Sequence, residues 1–365
     1  MRKKTVSNDQ ERRQLASKQS PSPSLRRSAY VANEMSLLSR YGRRAHSRSH
    51  KLRSPTALPR LASLSSAASA GSPGARTPAR PGPPPVRVGL TESAGRGVYA
   101  ARRIGAGELI HTAEPVVSHP SLHSLHAVCY FCLRKLNSSR SPARAASFCS
   151  DDCRARSQAF HEVETRADWS LHDGYCRTQG LKYPLLVKRL ACMIISGATS
   201  SDCLDILQPA YLSPEMISEM EEGFRLLKCA FTDAHVKDEQ IAFLTKQWYI
   251  ALLARIRINA FRVEVVGGLF EDLLSMAAAS VEAEAAVGNA VYMLPSFYNH
   301  DCDPNTHIIW LEDAVARLKA LRDIEPGEEL RICYIDASLD RDARQSLLSQ
   351  GFGFRCDCPR CLSGD

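Results

Sequence analysis

Apolar and polar positions alternate at Val86, Val88 and Leu90, and glycines at 95, 97, 105 and 107 punctuate the chain around Leu109-Ile110 and Val116-Val117. This spacing predicts strands joined by tight turns from Val86 onward. Between Cys129 and Cys176 no long apolar run occurs, which suits a small unit organised by metal. Residues 181 to 287 then take a helical period: Ile217, Met220, Phe224 and Leu227 recur every three to four positions, Gln240 to Ile256 follows suit, and Phe270 to Val287 is rich in Ala. Short β-type runs return at Val291–Leu294, His307–Trp310, Ala314–Leu318 and Leu330–Tyr334, broken by Asp303-Pro304 and Pro326-Gly327. The pattern is α+β, with its β part split by a Cys-rich unit and by helices.

Residues 1 to 85 lack such periodicity, are rich in Ser, Arg, Pro and Ala, and end in a Pro-Gly run, so they read as disordered. The net charge of +8 invites a nucleic-acid reading, but it is unevenly spread. Residues 1 to 91 hold 18 basic and 3 acidic side chains, a charge of +15, whereas the other 274 carry 29 basic against 36 acidic, or −7. Loose DNA contact therefore falls to the tail, and the folded part should face a neutral or basic partner. Residues 35 to 91, headed by Met35, contain ten basic and no acidic residues. Two readings stand: an organellar transit peptide from an internal start, or a solvated basic tail that aids nuclear import. The longest apolar candidate, Ile241 to Phe261, is broken by Lys246, Arg255 and Arg257, so no membrane span is expected.

Thirteen cysteines is an odd number, and most stand in tight C-x-C, C-x-x-C and C-x-x-x-C spacings. That favours zinc in a reducing compartment over a disulfide framework. The trio Cys356, Cys358 and Cys361 can place three thiolates on one tetrahedral Zn²⁺, and Cys302, in the polar turn Asn299-His300-Asp301-Cys302-Asp303-Pro304-Asn305, is the expected fourth ligand. The bland alternative leaves Cys302 a small buried hydrophobe.

Four motifs in order, Gly95-Arg96-Gly97-Val98-Tyr99-Ala100, Asn299 to Asn305, Gly327 to Asp336 and Phe352 to Cys361, resemble a SET-domain protein lysine methyltransferase, of the SET-and-MYND and plant trithorax-related kind. The resemblance implies a β-rich SET fold with a pseudoknot, in which Asn299–Asn305 and Gly327–Tyr334 meet, split by a partial MYND-type zinc unit and a helical insertion and closed by a post-SET zinc site. It divides the chain into a tail (1–85), the first SET part (86–128), a MYND-like unit (129–176), a helical insertion returning to the SET core (177–288), the C-terminal SET core (289–336) and a post-SET segment (337–365). Cys129, Cys132, Cys149 and Cys153 look like the MYND pairs that share one zinc, which makes two zinc sites in all. A pair expected between Cys132 and Cys149 is missing, so His172 and Cys176 have lost their partners: they are either packing residues or, with His161, part of a weaker site. Since the sequence has four residues after Cys361, the resemblance further implies no C-terminal helical domain and a more open cleft.

The same resemblance implies S-adenosylmethionine lying across Ala94, Gly95 and Arg96, with Asn259 at its amino-acid end, Asn299 and His300 at the adenine, Phe354 stacked on the base, and Tyr334 as the catalytic tyrosine. Phe261, Phe297 and Tyr298 are candidates for an aromatic lysine channel, or else plain core. The implied partner is a lysine-bearing protein, a histone above all, met by a monomeric enzyme in the nucleus; cytoplasm, mitochondrion or plastid is the alternative with a non-histone substrate. The competing class is a catalytically weak SET and zinc interaction module.

Overall fold

Sheet formation in the computed structural model follows the predicted runs closely. The structure describes residues 83–136, 146–265 and 286–365. The tail up to residue 82 and most of the Ala-rich stretch lie outside the described residues. The strands are β1 (Val86–Leu90), β2 (Arg96–Ala100), β3 (Leu109–Ala113), β4 (Val117–Pro120), β5 (Ala260–Glu264), β6 (Ala286–Val291), β7 (Asn299–His300), β8 (Thr306–Ile309), β9 (Ala316–Ala320) and β10 (Glu329–Ile332). They form three small sheets in the orders β1-β2-β10-β7, β3-β9-β8 and β4-β6-β5. Pairing is antiparallel except between β7 and β10, where Asn299 faces Arg331 and His300 faces Ile332. Val98 lies opposite Leu330 in the adjacent pair, so the first SET motif and the third share one apolar layer.

Helices α1 (Asp151–Arg166), α2 (Ser170–Thr178), α3 (Tyr183–Ile195), α4 (Pro214–Asp233), α5 (Asp238–Ile241) and α6 (Lys246–Asn259) build a second core, and α7 (Arg341–Phe352) and α8 (Pro359–Ser363) carry the C-terminal cysteines. Their starts follow capping chemistry. The Ser213 hydroxyl accepts the Met216 N–H and Pro214 opens α4, Thr245 caps α6, and Asp340 accepts the Ala343 N–H at the head of α7. Helix α7 stops at Gly353, whose φ of 81° suits a residue without a Cβ. No helix of the described residues is long and apolar enough to cross a membrane.

Three sequence expectations are corrected. Ala260–Glu264 is a strand rather than helix, and the end of the Ala-rich stretch, Ala286–Val287, opens β6. Val287 to Val291 are buried on both faces, so β6 shows no alternation and its alanines mimic a helix former. A Cβ at Gly288 would stand 2.5 Å from the His119 carbonyl oxygen, which is why a glycine interrupts that strand. The expected strand Val291–Leu294 likewise ends at Val291, because Pro295, with no N–H to give a ladder, turns the chain into a single 3-10 turn at Pro295–Phe297.

The second core is braced by a buried ion pair. Arg189 on α3 is buried; its Nε donates to Glu164 of α1 at 2.6 Å and its Nη1 to the Ser118 carbonyl of β4 at 3.1 Å, while its plane lies over Tyr130 and Phe160. Removing one partner of a buried pair leaves the other uncompensated. Glu164→Ala should therefore cost about 3–5 kcal/mol of stability, read as a lower urea midpoint; an unchanged midpoint would refute this.

Candidate functional site

The site is built where the turn after β1 meets β7 and β10. Thr91 closes that turn, its N–H donating to the Gly95 carbonyl at 2.7 Å and its hydroxyl accepting the Ala94 N–H at 2.8 Å, and Gly95 adopts a φ of 75°. Asn299 Nδ2 reaches back to the Arg96 carbonyl at 3.1 Å and donates to Glu329 Oε1 at 2.7 Å, so both its amide hydrogens are engaged. Arg96 lies over the Phe297 ring, 5.0 Å from its centroid, and donates to the Ile206 carbonyl. Asn259, at the end of α6, gives both amide hydrogens to carbonyls, of Gln208 at 2.9 Å and of Arg255 at 2.7 Å, so only its Oδ1 is left for a ligand.

Tyr334 follows β10 and is held from two sides. Its hydroxyl donates to the Tyr298 carbonyl at 2.6 Å, and its N–H donates to His300 Nδ1 at 3.1 Å. Because that nitrogen accepts, the neutral ring carries its proton on Nε2, which points at Cys302 Sγ 3.2 Å away. Burial pulls His300 down to about 4, so the imidazole stays neutral at ordinary pH. Both ring nitrogens are thus committed within the protein, and His300 can serve a bound nucleoside only through its backbone. Burial pushes the Tyr334 phenol above its usual value, and Glu329 adds to this, so the hydroxyl remains a donor. Phe352 stands 4.9 Å from the Tyr334 ring and Phe354 stands 6.4 Å from it at right angles and 6.0 Å from His300. Phe354 keeps 37% of its surface exposed, so one aromatic face is open for stacking beside the tyrosine.

Below this wall the sulfurs of Cys302, Cys356, Cys358 and Cys361 lie within 4.8 Å of one another, with Cys302 to Cys361 at 3.5 Å and Cys302 to Cys356 at 4.0 Å; Cys356 is half-buried and the other three are buried. Cys129, Cys132, Cys149 and Cys153 form a second such group, with Cys149 to Cys132 and to Cys153 both at 3.5 Å. Zn–S bonds of about 2.3 Å in a tetrahedron require sulfur spacings of about 3.8 Å. Both groups fit a zinc ion, and none of these cysteines is in a disulfide. In the N-terminal group the hydrogen bond between Cys132 and Cys129 pushes Cys129 down and Cys132 up, since thiols this close cannot all ionise without a cation.

The SET-domain family profile matches residues 95–335. The chain belongs to the SET-domain family. Within it, this SET-domain protein is 68% identical to the histone-lysine N-methyltransferase ATXR4 of Arabidopsis thaliana, over 78% of this chain and 88% of that one. A SET and MYND domain-containing protein of Dictyostelium discoideum is 23% identical over 70% of this chain and 77% of its own. The histone-lysine N-methyltransferase SMYD3 of Homo sapiens is 28% identical over 75% of this chain, which spans 61% of its length.

Contacts join the residues singled out in the sequence: Asn299 bonds the Arg96 carbonyl, His300 bonds Tyr334, Phe354 borders both rings, and Gln208 accepts from Asn259 and approaches Gly95. Phe261 is not part of this wall; it packs on Tyr292 and Trp310 in the core. His172 and Cys176 are both buried. His172 is buried with Nδ1 3.0 Å from Asp173, whose carboxylate takes Lys188 at 2.8 Å, and His161 sits between Tyr130 and Phe148; none joins a group of three metal donors among the described residues.

Three positions escaped sequence reasoning. Asn305 stands in the quoted motif, but nothing in the spacing told that its amide accepts the Arg331 N–H at 2.9 Å and donates to the Glu329 carbonyl at 2.8 Å, pinning the turn to β10. Gln208 and Thr91 are lone polar residues in loops and gave no signal. Gly97 owes its identity to this crowding: a Cβ there would stand 2.6 Å from Glu329 Oε1, 2.8 Å from Thr91 Cγ2 and 3.1 Å from Asn299 Nδ2. Gly97→Ala should displace Asn299 and weaken S-adenosylmethionine binding about tenfold or more, measured by calorimetry; wild-type affinity would show that the crowding is relieved without moving Asn299.

Proposed function

We propose that this protein transfers the methyl group of S-adenosylmethionine to the ε-amine of a protein lysine, and that its substrate is a histone. The observation that carries the reading is the gathering of Asn299, His300, Tyr334 and Phe354 at one cysteine-held corner of a SET-domain chain that is 68% identical to a histone-lysine N-methyltransferase. The bound cofactor supplies an electrophilic methyl on a sulfonium. The backbone of the Ala94–Arg96 turn and of His300, the free oxygen of Asn259, the side chain of Asn299 and the open face of Phe354 hold it. Tyr334 orients the amine: its phenol is fixed by Tyr298 and stays protonated, and the rings around it exclude water, which lowers the amine's pKa toward the neutral nucleophile. Positioning and desolvation account for most of the rate.

In this reading Cys302, Cys356, Cys358 and Cys361 are a post-SET zinc site, Cys129, Cys132, Cys149 and Cys153 the one remaining zinc of a MYND-like unit, and the segments follow the boundaries given by the sequence. The −7 charge of the folded part complements a basic tail peptide, and the +15 segment accounts for weak DNA contact and nuclear address. The test is incubation with S-adenosylmethionine and core histones, followed by peptide mass analysis. Methyl increments on histone lysines are expected. Unmodified histones beside a modified protein in whole-cell extract would instead favour the non-histone substrate that an organellar address for residues 35 to 91 would imply.

A further inference from the structure

Helix α7 turns three polar side chains toward the C-terminal cysteine centre. Gln345 clasps Cys356, donating to its carbonyl at 2.6 Å and accepting its N–H at 3.0 Å, and Arg341 donates to the Cys361 carbonyl at 2.7 Å. Between them Arg344 has no exposed surface at all. Its Nη1 donates to the Leu339 carbonyl at 2.7 Å, its Nη2 to Cys361 Sγ at 3.7 Å and to the main-chain oxygen of Asp365, and its Nε has no hydrogen-bond partner among the described residues.

No side-chain carboxylate among the described residues bonds it: Asp301 and Glu329 pair with Arg331, Asp365 with Arg360, and Asp340 caps α7. A guanidinium shut away from water without a counter-ion is strongly unfavourable. Four thiolates around one divalent cation leave a net negative charge, and three of the four cysteines here, Cys302, Cys358 and Cys361, are buried like the arginine, with Cys356 half-buried. Each charge is what the other lacks.

We propose that Arg344 is the counter-charge of the zinc centre formed by Cys302, Cys356, Cys358 and Cys361, and that its bond to Cys361 retains the metal. The proposal rests on zinc filling that centre and is independent of which substrate is methylated. A thiolate that accepts an N–H bond is protonated or displaced from the metal less readily, so the arginine slows zinc loss. The consequence reaches the site, since α7 ends at Phe352, against Tyr334, and the cysteine loop begins beside Phe354.

The experiment measures zinc release from the full chain to a coloured chelator, with the Cys358→Ser variant identifying the phase that belongs to this centre. Arg344→Gln should speed that phase by about 10–100-fold and leave the phase of the N-terminal centre unchanged. Arg344→Lys keeps the charge without the planar fork and should lie between the two, which decides the matter even where Arg344→Gln does not fold. Wild-type release from Arg344→Gln, or Lys performing no better than Gln, overturns the proposal. So does a chain lengthened by two glycines after Asp365 that loses zinc as fast as Arg344→Gln, since the guanidinium would then be serving Asp365. A wild type that holds one zinc, and the same one in Cys358→Ser, instead overturns the metal assignment and the counter-charge with it.

Discussion

Tyr334→Phe is expected to lower the rate of methyl transfer by about a hundredfold or more while S-adenosylmethionine binding stays near wild type. The hydroxyl is the single point that ties the ring to the Tyr298 carbonyl, at 2.6 Å, and misplacement of an orienting group by about 1 Å costs on the order of a hundredfold. The ring itself remains, wedged against Phe352 and His300, so the cofactor-facing wall is kept. The orphaned carbonyl costs about 1–3 kcal/mol of stability, too little to unfold a domain of this size. The pH profile sharpens the test. Tyr334 is pushed above the ordinary phenol range, so it stays protonated, and the wild-type rate should rise from pH 7 toward 9 as the substrate amine loses its proton. Full activity in Tyr334→Phe would remove this residue from the mechanism.

Cys358→Ser should release one of two zinc ions and weaken S-adenosylmethionine binding by about 5–100-fold, the worth of one aromatic stack. The route is visible in the contacts. A zinc ion on Cys302, Cys356, Cys358 and Cys361 would fold the segment from Cys356 to Cys361, and His300 spans from the Cys302 sulfur to the Tyr334 N–H. Losing the metal frees the loop that carries Phe354 and unseats the imidazole that holds the tyrosine backbone. Elemental analysis of the wild type should give close to two zinc ions per chain, and Cys132→Ser should lose the other one with little effect on cofactor affinity. Equal loss of affinity in both variants would contradict a special role for the C-terminal centre.

The sequence announced the parts of this site whose chemistry depends on local spacing. Three cysteines within six residues, and a fourth in a polar turn, do meet at one point although more than fifty residues separate Cys302 from the trio. The apolar runs around Val98 and Leu330 do pair. What stayed hidden was set by tertiary burial. Strand β6 is covered on both faces and so lost its alternation. Helix α3 buries Lys188 and Arg189 in positions that a periodic reading would give to solvent, because Asp173 and Glu164 from other helices meet them there. Arg344 is a similar case: nothing near it in the chain tells that it will lie against thiolates. Only the folded structure shows that the His300 ring nitrogens bond the Tyr334 N–H and the Cys302 sulfur.

The account stands or falls on catalysis at Tyr334, and labelled methyl transfer measures that directly. The wild-type chain is incubated with methyl-labelled S-adenosylmethionine and core histones, and the acid hydrolysate is separated into amino acids. The predicted result is label in methyllysine with the wild type and near-background label with Tyr334→Phe. Label that is absent with the wild type, that appears in residues other than lysine, or that is equal for the two chains would contradict it.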